Sequence, residues 1–273
     1  MLLRKESDVF IKIGERINSS RKTIARALEK KDEPFIKKEA RLQKEAGADM
    51  LDINCAFNSK NEVTDMEWLV EIVQNETGLP LSIDSPNPEA IEAGLRRHKG
   101  KALINSITLE NKRAKTILPL VKRYNTQVII LAMDEKGMPS TAIDRVKMAE
   151  RALGLAKEYG IPANDIYIDP LIRPISSEAR QALEVIESVK LIKSKYKLRL
   201  ICGLSNVSFG LPDRGILNAV FLAMMLSAGL DAAILDPIDK KIKATLKASD
   251  ALLGRDEYCM EYIKSHRAGE LAF

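Results

Sequence analysis

Eight short runs of β-branched and other apolar residues recur along the chain. Each is followed by a polar connection, and most of these lead into residues with helical spacing. The runs are VFIKIGE (9–15), DMLDINC (49–55), PLSIDS (80–85), KALINS (101–106), QVIILAM (127–133), DIYIDP (165–170), RLICGLS (199–205) and DAAILDP (231–237). Short apolar runs bounded by turn residues read as buried strands. Between them, EPFIKKEARLQKEAG, TDMEWLVEIVQNETG, NPEAIEAGLRRHKG and AIDRVKMAERALGLAKEYG repeat apolar residues at intervals of three and four and read as amphipathic helices. Each of the four ends in glycine, which closes a helix in the left-handed conformation at little cost.

Strands that alternate with helices must pair in parallel through right-handed crossovers. Eight such units with near-continuously apolar strands predict an α/β fold, the closed (β/α)8 or TIM barrel. An open doubly wound sheet would favour a glycine-rich phosphate loop after its first strand, but the connection here, IGERINSS, holds one glycine. No composition shift divides the chain, so residues 1–273 read as one domain, with a short extension at 1–8 and a helical tail from about residue 256.

Composition narrows the function. Charged residues reach 30% with both signs interspersed, as in Lys37-Lys38-Glu39, and the net charge is only +5. A nucleic-acid binder would concentrate its basic residues, so none is expected as a partner. Cys55, Cys202 and Cys259 form neither a CxxC pair nor an even set, which points to a reducing compartment, the cytoplasm. The longest apolar stretch, AVFLAMMLSAGLDAAIL, is interrupted by Ser227, Gly229 and Asp231, so no membrane span is expected.

In a barrel of this kind, chemistry sits at the C-terminal ends of the strands. Those ends carry Glu15, Asn18, Asp52, Asn54, Asp84, Asn105, Asp134, Asp169, Asn206 and Asp236. The only histidines, His98 and His266, lie elsewhere, so a metal cage and a Ser-His-Asp or Cys-His mechanism are not expected, and no strand ends in a Schiff-base lysine. A rim of carboxylates and carboxamides suits a flat, nitrogen-rich ligand such as a pterin or purine. A carboxylate accepts two parallel N–H bonds, and an Asn gives one and receives one. Asp134 and Asp236 also read as loop organisers, since Asp starts turns readily. Asn206 follows an apolar strand, where burial is expected and an unpaired amide costs about 1–3 kcal/mol.

The segments IGERIN, LSIDSPNPEAIEAGL, ALINS, YIDPL and GLSNVSFG resemble those of the pterin-binding methyltransferases. The resemblance is nearest to the methyltetrahydrofolate:corrinoid (iron-sulfur) protein methyltransferases, with the folate domain of cobalamin-dependent methionine synthase a more distant likeness, and it runs from Ile13 to about Cys259. It implies an enzyme that moves a methyl group between N5 of tetrahydrofolate and the cobalt of a corrinoid. Under it, Asp84, Asn105 and Asp169 hydrogen-bond the pterin ring, and Asn206 is the catalytic residue that reaches N5. Arg214 lies near the benzoyl-glutamate tail, while Glu15, Asn18, Asp52 and Asn54 belong to matching motifs with supporting roles. Phe209 stands where some relatives carry a polar residue.

The D-x-H-x-x-G pattern of a cobalamin module is missing. His98, in GLRRHKG, reads instead as a basic helix terminus. The corrinoid is therefore expected on a separate protein, tetrahydrofolate or 5-methyltetrahydrofolate is the substrate, and this chain binds no metal. The apolar, methionine-rich helix at 213–229 reads as core, with part of it a homodimer interface of the kind found among the relatives. The rival readings are a dihydropteroate synthase-like enzyme, for which no strand-end cation is present to hold a pyrophosphate, and a non-catalytic pterin-binding protein.

Overall fold

The computed structural model describes residues 9–56 and 61–271; the extension expected at 1–8 lies outside them. Eight strands form a closed parallel barrel in sequential order: β1 (Ile11–Asn18), β2 (Met50–Asn54), β3 (Leu81–Asp84), β4 (Leu103–Ile107), β5 (Gln127–Leu131), β6 (Ile166–Asp169), β7 (Arg199–Gly203) and β8 (Ala232–Leu235). Strand β1 pairs with β8 and closes the ring. The helices are α1 (Lys22–Glu29), α2 (Glu33–Glu45), α3 (Glu62–Thr77), α4 (Pro88–Arg97), α5 (Asn111–Arg123), α6 (Ala142–Glu158), α7 (Gln181–Lys195), α8 (Arg214–Ala228), α9 (Lys240–Leu252) and α10 (Met260–Arg267).

Local chemistry starts and stops these helices. Asp32 accepts from the Phe35 amide, Asn87 from Glu89, Thr141 from Asp144 and Asp239 from Lys241, and each satisfies a donor that the first helical turn leaves unpaired. Pro34 and Pro88 sit in the first turn, where their missing N–H costs nothing. Gly78 closes α3 at φ +68°, the left-handed region that other residues enter at a cost.

Side chains alternate across each strand, and this alternation builds two apolar layers. One row faces the helices: Leu51, Ile53, Ile83, Ile104, Ile130, Ile168, Leu200 and Leu235 pack there with residues such as Val70, Ile91, Leu118 and Leu222. The other row fills the barrel, where Ile13, Met50, Leu103, Ile129, Tyr167, Ile201 and Ala232 touch one another, flanked by Ile11, Leu131 and Ile234. The inward rows then turn polar towards the strand ends, in steps of two. Ile13 is followed by Glu15, Met50 by Asp52 and Asn54, Leu103 by Asn105, and Tyr167 by Asp169.

The first strand runs further than the apolar run at 9–15 implies: β1 continues through residues 16–18 to Asn18, with an irregularity between Gly14 and Ile17. Gln43 of α2, fully buried, explains it: its Oε1 accepts from the Arg16 amide at 3.0 Å and lies 2.4 Å from where a Cβ on Gly14 would stand. The extra strand length therefore depends on a glycine and a glutamine that meet across the barrel wall.

Candidate active site

The polar residues meet on one rim. Asn54, Asp84 and Asn105 are direct register partners across β2, β3 and β4. Asn54 donates to Asp84 Oδ2 at 2.9 Å, and its own Oδ1 accepts from Ser19 Oγ at 2.7 Å and from the Ala56 amide at 3.1 Å. One layer deeper, Asp52 Oδ1 accepts from Ser82 Oγ at 2.6 Å and from Asn105 Nδ2 at 3.0 Å. Asp52 is only 2% exposed and forms the floor beneath Asn105. Beside these residues opens a cavity of about 340 Å³, lined by Asp84, Asn105, Ser106, Thr108, Glu110 and Arg113 among others.

Burial disfavours charge on these acids. It pushes the Asp52 carboxyl up to about 8, with repulsion from Asp84 adding to the effect. Asp84 is pushed up to about 6 by burial, against the opposing pull of the Asn54 hydrogen bond and of Arg113. Asp169 is likewise raised to about 6 by burial, although hydrogen bonding to the backbone at Leu171 and Gly203 favours its charged form. Asp52 therefore carries a proton at neutral pH, while Asp84 and Asp169 are mostly ionised and titrate just below it.

Two arginines hold the loops that carry this rim. Arg113 on α5 donates through Nη2 to Ser85 O at 2.8 Å and to Ser106 O at 3.0 Å, and through Nη1 to Pro86 O. It thereby ties the loop after β3 to the end of β4. Arg145 on α6, fully buried, donates to Pro170 O at 2.8 Å, Ser140 O at 3.0 Å, Leu171 O at 3.2 Å and Gln181 Oε1 at 2.7 Å. Leu171 holds a left-handed φ of +59°, costly for a branched side chain, while its amide donates to Asp169 Oδ1 at 2.7 Å. Arg145 and Asp169 together fix that turn.

The remaining rim forms where β1 faces β7 across the end of β8. Ser205 Oγ bonds both oxygens of Glu15, at 2.8 and 3.0 Å. Burial raises the Glu15 carboxyl above its usual range, opposed by the Ser205 bond and by Arg21. Asn206 ends a 3-10 turn directly after β7 and is exposed, not buried as its apolar context implies, because the chain leaves the barrel wall after Gly203.

A family model described as "Pterin binding enzyme" matches residues 14–236, from the first rim motif to the last. The chain belongs to the pterin-binding enzymes. It is 33% identical over 265 residues to a methylcorrinoid:tetrahydrofolate methyltransferase of Eubacterium limosum, a match that covers 96% of this chain and 98% of that protein. It is also 32% identical to a methionine synthase of Mycobacterium tuberculosis over 81% of its own length, which is 20% of that much longer protein. Among solved structures it resembles a dihydropteroate synthase of Xanthomonas albilineans, with a TM-score of 0.69 at 19% identity over 92% of this chain and 94% of that one. At that identity the likeness speaks to fold alone.

Within this pterin-binding barrel, Glu15, Asp52, Asn54, Asp84, Asn105 and Asp169 come together on one rim. Asn18 instead turns locally and accepts from the Ser20 amide at 3.0 Å. Arg214, the first residue of α8, donates to Ser205 O at 2.6 Å and Ser208 Oγ at 3.0 Å, so its guanidinium is engaged by the loop that carries Asn206. Asp134 pairs with Arg151 and accepts from the Lys136 amide, and Asp236 pairs with Arg16 at 2.9 Å and Arg21 at 3.4 Å. Both organise loops. His98 ends α4, but its Nε2 accepts from the Leu81 amide at 3.1 Å and burial lowers its pKa, so it serves as a neutral acceptor and not as a charge on the helix end. Phe209 is 65% exposed on the rim, its amide bonded to Asn206 O at 3.2 Å. No group of three or more His, Cys, Asp or Glu placed to hold a metal occurs among the described residues.

Sequence reasoning passed over Arg113, Arg145, Ser19 and Ser82. The serines had a usable signal: Ser82 stands two residues before Asp84, on the same inward row. The arginines had none, because their partners are backbone carbonyls and, for Arg145, also the side chain of Gln181, all brought to them only by the fold.

Proposed function

We propose that this chain transfers a methyl group between N5 of tetrahydrofolate and the corrinoid of a separate protein. The observation that carries this reading is the rim itself. Asp84, Asn105 and Asp169, on three strand ends of a pterin-binding barrel, leave carboxylate and carboxamide groups at the mouth, and the methylcorrinoid:tetrahydrofolate methyltransferase match runs nearly the full length of both chains. The name of that relative, a methylcorrinoid:tetrahydrofolate methyltransferase, supports methylated corrinoid as donor and tetrahydrofolate as acceptor.

The reaction moves one proton for each methyl. As N5 of tetrahydrofolate gains the methyl group it gives up its hydrogen, and in reverse the departing nitrogen must regain one, because an unprotonated amide anion is a very poor leaving group. Asp84, Asn105 and Asp169 bind and orient the ring. Asn206 faces N5 from the end of β7; its carbonyl accepts the N5–H in one state and its amide donates to the N5 lone pair in the other. The proton reaches solvent through the polar rim. The corrinoid supplies the methyl donor or acceptor chemistry and stays on its own protein.

Three accompanying readings complete the proposal. The whole chain acts as one domain. It works in the cytoplasm, in keeping with the unpaired Cys55, Cys202 and Cys259. It pairs with a second copy through the apolar stripe of Ile216, Val220 and Met224, each exposed on one side of α8; a solution mass reads that state directly.

The decisive test follows the cobalt(I) absorbance of free cob(I)alamin after addition of 5-methyltetrahydrofolate and enzyme. The band should disappear with wild type, and Asn206→Ala should slow it by about 100-fold. No reaction with free or protein-bound corrinoid would overturn the function, and near-normal single-turnover transfer by Asn206→Ala would overturn that residue's role.

A further inference from the structure

The loop after β7 holds its asparagine in an unusual way. Gly203, the last residue of β7, has φ −75° and ψ 93°, which any amino acid can adopt, so its backbone does not require a glycine. Space does. A Cβ on residue 203 would stand 2.9 Å from Asn206 Nδ2 and 3.8 Å from its Cγ, so the Asn206 amide lies folded back over the strand end, in the place a side chain would take.

Of the two residues between them, Ser205 is tied from two sides. The Ser205 hydroxyl meets the Glu15 carboxylate, on a strand separated from β7 by β8, and Arg214 donates to the Ser205 carbonyl at 2.6 Å. Arg214 also grips Ser208 Oγ, which in turn donates to Asn218 Oδ1 of α8 at 2.7 Å. The turn is thus anchored to β1 on one side and α8 on the other. The Asn206 side chain itself is exposed, so its direction follows from these anchors and from the space over Gly203.

We infer that Gly203 and Ser205 are positioning residues that hold the Asn206 amide over the barrel mouth, Gly203 by leaving room for it and Ser205 by fixing the turn that carries it. This rests on the role given to Asn206 above. A Cβ at 203 meets only the movable end of a side chain, so Gly203→Ala should fold normally and displace the amide. Losing the Ser205 hydroxyl should free the turn from β1. Misplacing a group that acts on the reacting atom lowers the rate of the chemical step while leaving binding of the rest of the substrate intact.

The experiment is a double-mutant cycle on the full chain, read by single-turnover methyl transfer from 5-methyltetrahydrofolate to cob(I)alamin and, separately, by the Kd for 5-methyltetrahydrofolate. Gly203→Ala and Ser205→Ala should each slow transfer by about 10-fold or more, with Kd changed by less than about threefold, and Ser205→Thr should recover most of the rate. In an Asn206→Ala background both substitutions should become nearly silent, because residues that act through one group lose their effect when it is gone. Wild-type rates for Gly203→Ala and Ser205→Ala beside a crippled Asn206→Ala would overturn this inference alone, as would losses that persist undiminished without Asn206. A fully active Asn206→Ala would overturn the role of Asn206, and this inference with it.

Discussion

Asn105 Nδ2 donates to Asp52 Oδ1 at 3.0 Å, although a whole strand, β3, stands between their strands. Ser82, on that intervening strand, donates to the same oxygen at 2.6 Å. One buried carboxyl therefore orients a rim carboxamide. Asp52→Ala should release Asn105 and weaken tetrahydrofolate binding by about 10-fold, the loss expected for one hydrogen-bonded anchor in a buried setting. Asp52→Asn should cost far less, because the carboxyl, raised to about 8, is already neutral at pH 7. Calorimetric titration with tetrahydrofolate separates the two outcomes.

The same residue predicts a pH dependence of stability. An acid whose folded pKa lies above its unfolded value holds its proton more tightly in the native state, so its contribution is full below about pH 4 and is lost as pH rises towards 8. Asn at position 52 has no proton to lose. The melting temperature of Asp52→Asn relative to wild type should therefore rise from pH 5 and level off above about pH 8. A constant difference would show that Asp52 is already ionised in the folded protein throughout this range, its pKa not raised.

Asp169 gives a matching prediction for binding. Burial raises it to about 6, and a pterin amino-amidine edge needs the carboxylate. Affinity should fall by about 10-fold between pH 7.5 and pH 5 for each carboxylate that must ionise. Asp169→Asn should bind more weakly at pH 7.5 and show a flatter profile. Fluorescence titration at four or five pH values reads both effects.

Among the described residues, Arg113 donates only to main-chain carbonyls, from Ser85, Pro86 and Ser106. Arg113→Met should loosen both loops and weaken folate binding by about 10-fold, since removal of a charged donor costs about 1.5–3 kcal/mol. Arg113→Lys should rescue little, because a single ammonium cannot span the carbonyls that a planar fork reaches. Hydrogen exchange over residues 84–90 and 105–110 reports the loosening directly.

These residues also explain what the sequence discloses and what it hides. The eight strands are legible because each is a compact apolar run, and Asp52, Asn54, Asp84, Asn105 and Asp169 are legible because a polar residue stands out at the end of such a run. Arg113 and Arg145 look like ordinary basic residues on amphipathic helices, and their significance appears only when the barrel brings remote carbonyls to them. The first strand reads as ending at Glu15 because Arg16 is charged and the apolar run stops there, whereas β1 continues to Asn18 with Gly14 admitting Gln43 behind it. The apolar neighbours of Asn206 imply burial, yet the chain turns out of the wall after Gly203 and leaves Asn206 exposed.

The pairing of Arg16 and Arg21, near the chain's start, with Asp236, just after β8, has a consequence for synthesis. The rim draws on strands from the first to the seventh, and β8 and this ion cluster shut the ring. A nascent chain halted on the ribosome before β8 emerges has no closed mouth to offer, so added folate should not protect it from protease, whereas the released full-length product should gain protection at once.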